Sequence, residues 1–395
     1  GASMRRPRRS LSSTSLIRSF NVVSVLQTLY REGACSKSRI AEITRMSPAT
    51  VTRIVSELVR QGVVAEYEIA ESTGGRKPVI FRLSYDKLYI IGIQLIRDRA
   101  TLAVCDLRGK VLDKRTFNPY SLQPSDVVSE IARELELLIT LNEIDREHVL
   151  GVGLAISGIV NSESGVLLRS VNLGWQDVRI REYLEQALGF RVVVENDANA
   201  AALAEFWFGC AGDVSSFMYL KTDTGVGAGI VCERALMSGA RGMAGEIGHV
   251  PLVKDGHECV CGQRGCLETY LYGQGLLRRY ESLTGTHLDG VHDFFAHAAE
   301  GDPTTLSMVR EAVEAIGTAL AMAATLLDLD LVVVGGLWGE LGDLVIRPVQ
   351  ARAVEILRRS GLDRAFAVRS SALGDDSDVL GAAGTVINRW FTPPI

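Results

Sequence analysis

One short segment carries three cysteines and two histidines close enough in sequence to bind a single metal ion. Cys259, Cys261 and Cys266 lie within eight residues, and His249 and His257 precede them. Three thiolates and one imidazole are ligands typical of tetrahedral zinc, and four protein ligands leave no position open for a substrate. We therefore predict a structural Zn²⁺ site, for which the spacing alone leaves both histidines as candidates. A disulfide is disfavoured, because the seven cysteines are an odd number and fit a reducing cytoplasm.

A second polar group lies further towards the N-terminus. The sequence predicts an apolar strand over residues 190–194 and a helix over residues 200–208, with Glu195, Asn196, Asp197 and Asn199 between them. The ends of strands in α/β sheets are places where ligands bind. Asn and Asp are also the residues that most often cap a helix N-terminus, so an ordinary cap explains this segment as well as a ligand site does. The residues alone support both interpretations equally.

The first 88 residues must form a separate unit. Apolar spacing predicts helices over residues 16–31 and 36–45, a tight turn at Met46, and a third helix that Ser47 caps and that stops at Gly62. Two strands follow, over residues 63–69 and 79–83, joined by a hairpin with a basic tip. This order predicts a winged helix-turn-helix.

The third helix and the hairpin tip carry the residues suited to DNA. The apolar stripe of that helix leaves small or basic side chains on its outer face, where they would reach a major groove. Arg76 and Lys77, beside two glycines, suit a minor groove. The predicted DNA contacts are Ser47, Thr50, Thr52, Arg53, Arg76 and Lys77. The alternative is a winged helix that contacts protein and has an ordinary solvated face.

Charge separates the same two parts of the chain. Residues 1–88 hold 15 Lys and Arg against 7 Asp and Glu, or +8, whereas residues 89–395 hold 27 against 40, or −13. The basic part favours DNA binding. No run of about 18 apolar residues occurs, which excludes a membrane helix, and 47% apolar residues exclude a disordered chain. No secretory signal is present, so we expect a cytoplasmic protein.

The acidic part alternates strands and helices. Strands over residues 89–96, 100–106 and 110–117 form a meander, followed by helix 125–141, strand 149–156, helix 178–188 and strand 190–194. A second cycle contains strands 217–221 and 225–232, helix 304–327, strand 329–334 and helix 344–360. This order predicts an α/β fold with two lobes and a cleft between them.

The metal segment extends into a longer pattern. The run Gly248-His249-x9-Cys259-x-Cys261-Gly-x2-Gly-Cys266-x-Glu268 resembles the signature of the ROK family, named for repressors, open reading frames and kinases. The resemblance covers nearly the whole chain, because ROK repressors carry a winged helix-turn-helix ahead of an actin-like, hexokinase-type (ribonuclease H-like) domain. It implies that His249 is the nitrogen ligand and that His257 is a surface residue.

The resemblance also implies a sugar site. In ROK sugar kinases an Asn and an Asp hold sugar hydroxyls, and the Asp acts as general base on the hydroxyl that attacks ATP; Asn196 and Asp197 match them. The other implied sugar contacts are Glu246, His249, Glu268, Gly158 and Asn172. Ser157-Gly158 departs from the family's Pro-Gly. Zinc would act indirectly, by fixing the loop that presents Glu246, His249 and Glu268.

One kinase feature is missing. ROK kinases open this domain with an Asp-x-Gly-Gly-Thr turn for the ATP phosphates and magnesium, where this chain has Gln94 for the Asp and Ile96 and Arg97 for the glycines. A second phosphate loop at residues 222–229 and the pair Gly335-Gly336 remain. Phosphoryl transfer depends on positioned metal and donors. We therefore predict no catalytic residue, with Asp197 a vestigial base.

Together these features predict a sugar-responsive, DNA-binding transcriptional regulator, a repressor of carbohydrate uptake or catabolism genes. The alternative is an active ATP-dependent sugar kinase fused to a DNA-binding domain. Expected partners are operator DNA, a monosaccharide or sugar-phosphate effector, and further copies of the chain in a homodimer or dimer of dimers. We expect a basic tail with an expression-tag scar at 1–14, the winged helix at 15–87 and the ROK domain at 88–395. Lobe one comprises about 88–198 plus about 375–395, and lobe two about 199–374.

Overall fold

A computed structural model describes residues 13–68, 79–223, 225–361 and 366–391. The chain folds into two compact units. The first contains the described residues up to Tyr89, Asp145–Leu150 and residues 386–391, and the second contains Ile90–Ile144 and Gly151–Thr385. Within the described ranges, none of the helices combines the length and the apolar character that a membrane crossing requires.

The first unit is a winged helix-turn-helix, as predicted. Its elements are α1 (Ser13–Glu32), α2 (Lys37–Thr44), α3 (Pro48–Arg60), β1 (Val64–Glu68) and β2 (Val79–Leu83). β1 and β2 pair antiparallel, and the backbone of Cys35 forms an isolated antiparallel β-bridge with that of Phe81. The end of the described chain packs here as well, because Gln27 donates to the Phe391 carbonyl at 2.8 Å and the rings of Tyr30 and Phe391 lie 5.3 Å apart.

The third helix begins where the sequence predicts. The Ser47 hydroxyl accepts a hydrogen bond from the Thr50 backbone N–H at 3.2 Å, and Pro48 occupies the first helical position, where it loses no hydrogen bond. Val51, Ile54 and other apolar side chains on its inner face are buried. The outer face is therefore left to polar residues.

Lobe one of the second unit is built on a five-stranded sheet. Its elements are β3 (Tyr89–Ile96), β4 (Arg99–Asp106), β5 (Val111–Phe117), α4 (Pro124–Leu141), β6 (Val149–Ile156), β7 (Ile159–Asn161), β8 (Val166–Ser170), β9 (Trp175–Val178), α5 (Ile180–Leu188) and β10 (Val192–Asn196). The strand order is β10-β6-β3-β4-β5, and β10 pairs parallel with β6.

Lobe two repeats this plan. Its elements are α6 (Asp197–Trp207), β11 (Phe217–Thr222), β12 (Val226–Cys232), β13 (Ala235–Leu236), α7 (Glu268–Leu271), α8 (Gly273–Thr284), α9 (Val291–Ala299), α10 (Pro303–Leu327), β14 (Leu331–Gly336), α11 (Leu337–Glu340), α12 (Asp343–Arg359) and β15 (Ala367–Ser370), after which comes α13 (Ser377–Phe391). The strand order, β15-β14-β11-β12-β13, matches that of lobe one position by position.

Two helices lie between the sheets. α6 packs on the second sheet, where Ala201 and Phe206 join Phe217 in one apolar cluster. The first part of α13 packs on the other sheet so closely that a Cβ on Gly92 or Gly153 would collide with α13 carbonyl oxygens. Both helices start at the same end, with Asp197 opening α6 and Ser377 opening α13.

Several elements differ from the prediction. A three-stranded sheet, β7-β8-β9, was not predicted because its strands are only three to five residues long. β9 ends at Val178, so the helix predicted from residue 178 begins at Ile180. The helix predicted from residue 200 begins at Asp197, since the Asn196 side chain caps it.

Candidate functional site

The four predicted metal ligands lie together. The ligand atoms of His249, Cys259, Cys261 and Cys266 all lie within 4.8 Å of one another. The Cys259 Sγ is 3.6 Å from the His249 Nδ1, and the two other sulfurs are 3.7 Å apart. Tetrahedral zinc with bonds of about 2.3 Å to sulfur needs sulfur atoms roughly 3.8 Å apart. The cluster therefore has the size of a metal site.

The donor set of the cluster, one imidazole and three sulfurs, also fits a metal. A hydrogen bond from the Gln263 backbone N–H lowers the pKa of the Cys261 thiol to about 7, whereas burial raises the pKa values of the Cys259 and Cys266 thiols. His257 lies elsewhere, with its ring 5.0 Å from that of Tyr270 and its Nε2 3.6 Å from a Glu311 oxygen. The geometry thus selects His249 from the two histidines that the spacing left open.

Asn196 acts as a helix cap. Its Oδ1 accepts hydrogen bonds from the backbone N–H groups of Ala198 and Asn199, and its Nδ2 donates to the Gly158 carbonyl at 2.9 Å. The capping interpretation of this segment is correct. One Nδ2 hydrogen is not used in these bonds, and the cap holds Gly158 beside the start of α6.

Asp197 takes part in a chain of charges. The Lys221 Nζ lies 3.7 Å from the Asp197 Oδ2 and 2.6 Å from the Asp223 Oδ2. Burial raises the pKa of the Asp197 carboxyl, although the charge of Lys221 opposes that shift. For Lys221, burial favours a lower pKa, but Asp197, Asp223 and Asp378 together outweigh it and raise the pKa. Lys221 therefore remains an ammonium ion.

Glu246, a predicted carboxylate of lobe two, lies within electrostatic reach of Asp197. Burial raises the pKa of Glu246, His249 lowers it, and Asp197 and Glu268 raise it further. Charges influence a carboxyl group in this way only when they are near it. One oxygen of Glu268 accepts a hydrogen bond from the Val226 backbone N–H at 3.0 Å. Glu246 thus lies near Asp197, which follows β10 of lobe one, as well as near His249 and Glu268.

The small sheet of lobe one supplies the remaining predicted sugar contacts. The Asn172 side chain donates to the Ser157 hydroxyl at 3.3 Å, which places it next to Gly158. Gly158 has φ 136° and lies so close to Arg169 and Ser170 that a Cβ there would collide with them. The Trp175 indole N–H donates to the Leu122 carbonyl at 2.6 Å and anchors the sheet. The fold therefore brings these residues to the same edge as Asn196.

The two hairpin turns that would bind phosphates in a kinase differ from each other. In lobe one, Arg97 and Asp98 alone join β3 to β4, and Arg97 lies 3.5 Å from the Asn172 carbonyl. In lobe two, Asp223 and Gly225 flank a residue outside the described part. The Asp223 carboxylate lies so close to Gly336 that a Cβ there would collide with it.

The predicted DNA-reading face is exposed where it is described. Thr52 and Arg53 are exposed, and Thr50 is half-buried and shares a 2.8 Å hydrogen bond with Ser47. Arg60, on the same face, pairs with Glu57. Arg76 and Lys77, the predicted contacts of the hairpin tip, lie outside the described residues.

Lys221 was not predicted as a functional residue, and Asp223 was included only as part of the second phosphate loop, residues 222–229. One signal was available, because Lys221 interrupts the apolar run Phe-Met-Tyr-Leu of a buried strand. A lysine in such a position is rarely buried without a partner.

Two known protein families match this chain, one in its N-terminal part and one in the remainder. The sequence pattern of the ROK family matches residues 90–389, and that of the MarR family matches residues 21–71. The chain is 29% identical to a protein named putative xylose repressor from Caldicellulosiruptor sp. (strain Rt8B.4), over 97% of this chain and 99% of that protein.

A kinase and a solved structure are also similar. Glucokinase of Halalkalibacterium halodurans is 30% identical over 76% of this chain and 95% of its own length. A crystal structure described as a ROK family transcriptional regulator, homolog of the E. coli MLC protein, superposes with a TM-score of 0.85 at 24% identity, covering 95% of this chain and 97% of the other. The kinase similarity covers about three quarters of the chain, whereas the other two similarities cover nearly all of it.

Proposed function

The chain belongs to the ROK family, and from this we propose that it is a DNA-binding transcriptional repressor whose ROK domain binds a sugar effector and does not transfer phosphate. One observation carries the proposal. Glu246 lies near Asp197, Glu268 and His249, in a chain that also contains a winged helix with an exposed polar reading face. The polar side chains of the ROK domain suit a sugar, and the reading face of the winged helix suits DNA.

The sugar is held by acceptors and donors from both lobes. Each hydroxyl of a monosaccharide donates one hydrogen bond and accepts others, so carboxylates and an imidazole N–H together satisfy adjacent hydroxyls. Asp197 and Glu246 accept, and Glu268 accepts with the oxygen that Val226 does not use. His249 uses its Nδ1 in the metal cluster, which leaves Nε2 for the sugar. Asn196, Gly158 and Asn172 complete the lobe-one side.

The metal is a structural Zn²⁺ held by His249, Cys259, Cys261 and Cys266. Zinc supplies no chemistry to a reaction here; it fixes the loop between β13 and α7, because four protein ligands close the coordination sphere. That loop carries Glu246 and ends at Glu268. The metal thus positions the sugar ligands of lobe two.

The winged helix binds operator DNA through α3. Thr50, Thr52 and Arg53 contact base edges in the major groove, Ser47 caps the helix beside the DNA backbone, and Arg76 and Lys77 enter a minor groove. Because DNA operators have two half-sites, the repressor acts as a homodimer, or as a dimer of dimers. Sugar changes operator affinity by favouring one arrangement of the two lobes.

An active sugar kinase is the second candidate, favoured by the retained Asp197 and the similarity to glucokinase. A coupled assay with Mg-ATP separates the two, using the pentose xylose and a panel of hexoses that includes glucose as substrates. The repressor proposal predicts no turnover above background. A rate near 1 per second, which is ordinary for an enzyme, would instead establish the kinase.

The repressor is tested by selecting its DNA site from a random library and titrating the selected duplex. We expect Arg53→Ala to weaken the selected site about 5- to 100-fold more than random DNA, because a base contact contributes about 1–3 kcal/mol. Arg60→Ala is the matched control. Arg60 lies on the same helix face, where it pairs with Glu57. A cation that contacts only phosphate is expected to change the affinity for both DNAs equally. A chain that selects no sequence contradicts the proposal.

A further inference from the structure

Lys221 lies between acidic groups that come from different elements. Its side chain is only 9% exposed, and its ammonium is within 4 Å of both Asp197, after the first sheet, and Asp223, after the second. Asp378, near the start of α13, also acts on its charge. A buried ammonium ion with these partners satisfies carboxylates that would otherwise repel one another.

Asp223 fills the space between the two glycine segments of lobe two. β11 and β14 are parallel neighbours, and the Thr222 hydroxyl donates to the Gly335 carbonyl at 2.6 Å, so the two segments lie side by side. The Asp223 carboxylate lies directly against Gly336. In the same turn, the Val226 N–H already donates to Glu268.

A phosphate group needs what this turn does not offer. Glycine loops bind phosphate through free backbone N–H groups and the space that the absent side chains leave. Here the Asp223 carboxylate lies against Gly336, one N–H is occupied, and the charge of Lys221 is already paired with Asp197 and Asp223. A phosphate would meet a like charge at short range, which is strongly unfavourable.

We propose that Lys221 and Asp223 determine ligand specificity, restricting this cleft to an uncharged monosaccharide and excluding sugar phosphates and nucleotides. This inference rests on the proposed function, whose effector is a monosaccharide or a sugar phosphate, and decides between them. Arg97 is the cation of the opposite turn. It is exposed and lies near the Asn172 carbonyl, so its contribution is measured separately.

The test uses calorimetry on the full chain with xylose, glucose, their phosphate esters and ADP. For the wild type we expect at least one free sugar to bind, with its phosphate ester and ADP roughly tenfold weaker or more. Asp223→Asn removes the charge and Asp223→Gly removes the side chain as well. Both are expected to recover phosphate-ester or ADP affinity about tenfold, while affinity for the free sugar stays within twofold. Asp213→Asn, at an exposed aspartate outside this turn, is the control.

Lys221 is tested by a double-mutant cycle on free-sugar affinity. Lys221→Met leaves Asp197 and Asp223 without their shared cation, and we expect a loss of about tenfold that adding Asp223→Asn largely reverses. Additive effects, or no gain of phosphate binding in either Asp223 variant, overturn the proposal. So does a sugar phosphate that binds the wild type more tightly than the free sugar and loses that preference in Arg97→Ala, although the repressor proposal would then stand. If no sugar or sugar phosphate binds the wild type, the proposed function itself fails.

Discussion

The two lobes have the same strand order but contribute to the site in different ways. In lobe one, the insertion between β6 and α5 is a small sheet that presents Gly158 and Asn172 through hydrogen bonds. In lobe two, the insertion between β13 and α10 carries Glu246 and Glu268 on a loop whose metal ligands cluster. The repeated scaffold thus forms the two lobes, while the insertions supply most of the proposed sugar-binding side chains.

Removing the metal should cause the largest loss of sugar affinity, because it unfolds the ligand-binding loop of lobe two and leaves lobe one unchanged. Cys266→Ser or chelation is expected to lower sugar affinity more than about 100-fold, because a loop of this kind depends on its zinc for folding. Calorimetry with metal analysis by mass spectrometry checks this, and Cys232→Ser, outside the cluster, is the control. Unchanged sugar affinity in metal-free protein would show that the insertion folds by itself.

Asp197→Asn tests the contribution of the residue that directly follows β10 of the first sheet. We expect sugar affinity to fall about 10- to 100-fold, since a hydrogen bond to a charged group contributes about 1.5–3 kcal/mol. Zinc content should stay at the wild-type value, which separates this variant from the cysteine variants. An affinity equal to that of Asp213→Asn would remove Asp197 from the site.

Asn172→Ala tests the small sheet and should have a modest effect. Asn172 is exposed and its bond to Ser157 is long, so a loss of about twofold to tenfold in sugar affinity is expected. Gln176→Ala, on the same sheet, should bind sugar like the wild type. A loss as large as that of Asp197→Asn would make the small sheet as important to sugar binding as the end of β10.

Restoring the kinase turn of lobe one should have the smallest effect. Gln94→Asp, Ile96→Gly and Arg97→Gly together are expected to give no turnover of Mg-ATP, because the Asp223 carboxylate still fills the turn of lobe two. A thermal melt verifies folding before the coupled assay. Turnover near 1 per second would show that only the lobe-one turn matters.

Much of this organisation could be predicted from residue spacing. The winged helix followed from the Ser47 cap and the apolar stripe of α3, and the metal cluster followed from the closely spaced cysteines. The choice of His249 over His257 followed only from the family signature, because both histidines are close in sequence. The small sheet was missed because its strands are too short for a periodic pattern.

Asp223 shows the limit of sequence reasoning at the site. Its turn retains glycines, which indicates a phosphate loop, and the sequence does not reveal that its carboxylate lies against Gly336. That contact depends on the parallel pairing of β11 with β14, more than 100 residues apart in the chain. Lys221 is similar, because its partner Asp197 belongs to the end of a different sheet.

In the proposed repressor sugar binding and DNA binding are coupled, and reciprocal titration measures this coupling. Operator affinity is measured with and without saturating sugar, and sugar affinity with and without operator. Both affinities are expected to change by the same factor; a 100-fold change corresponds to about 2.7 kcal/mol of coupling. Operator affinity that is the same at every sugar concentration would contradict it.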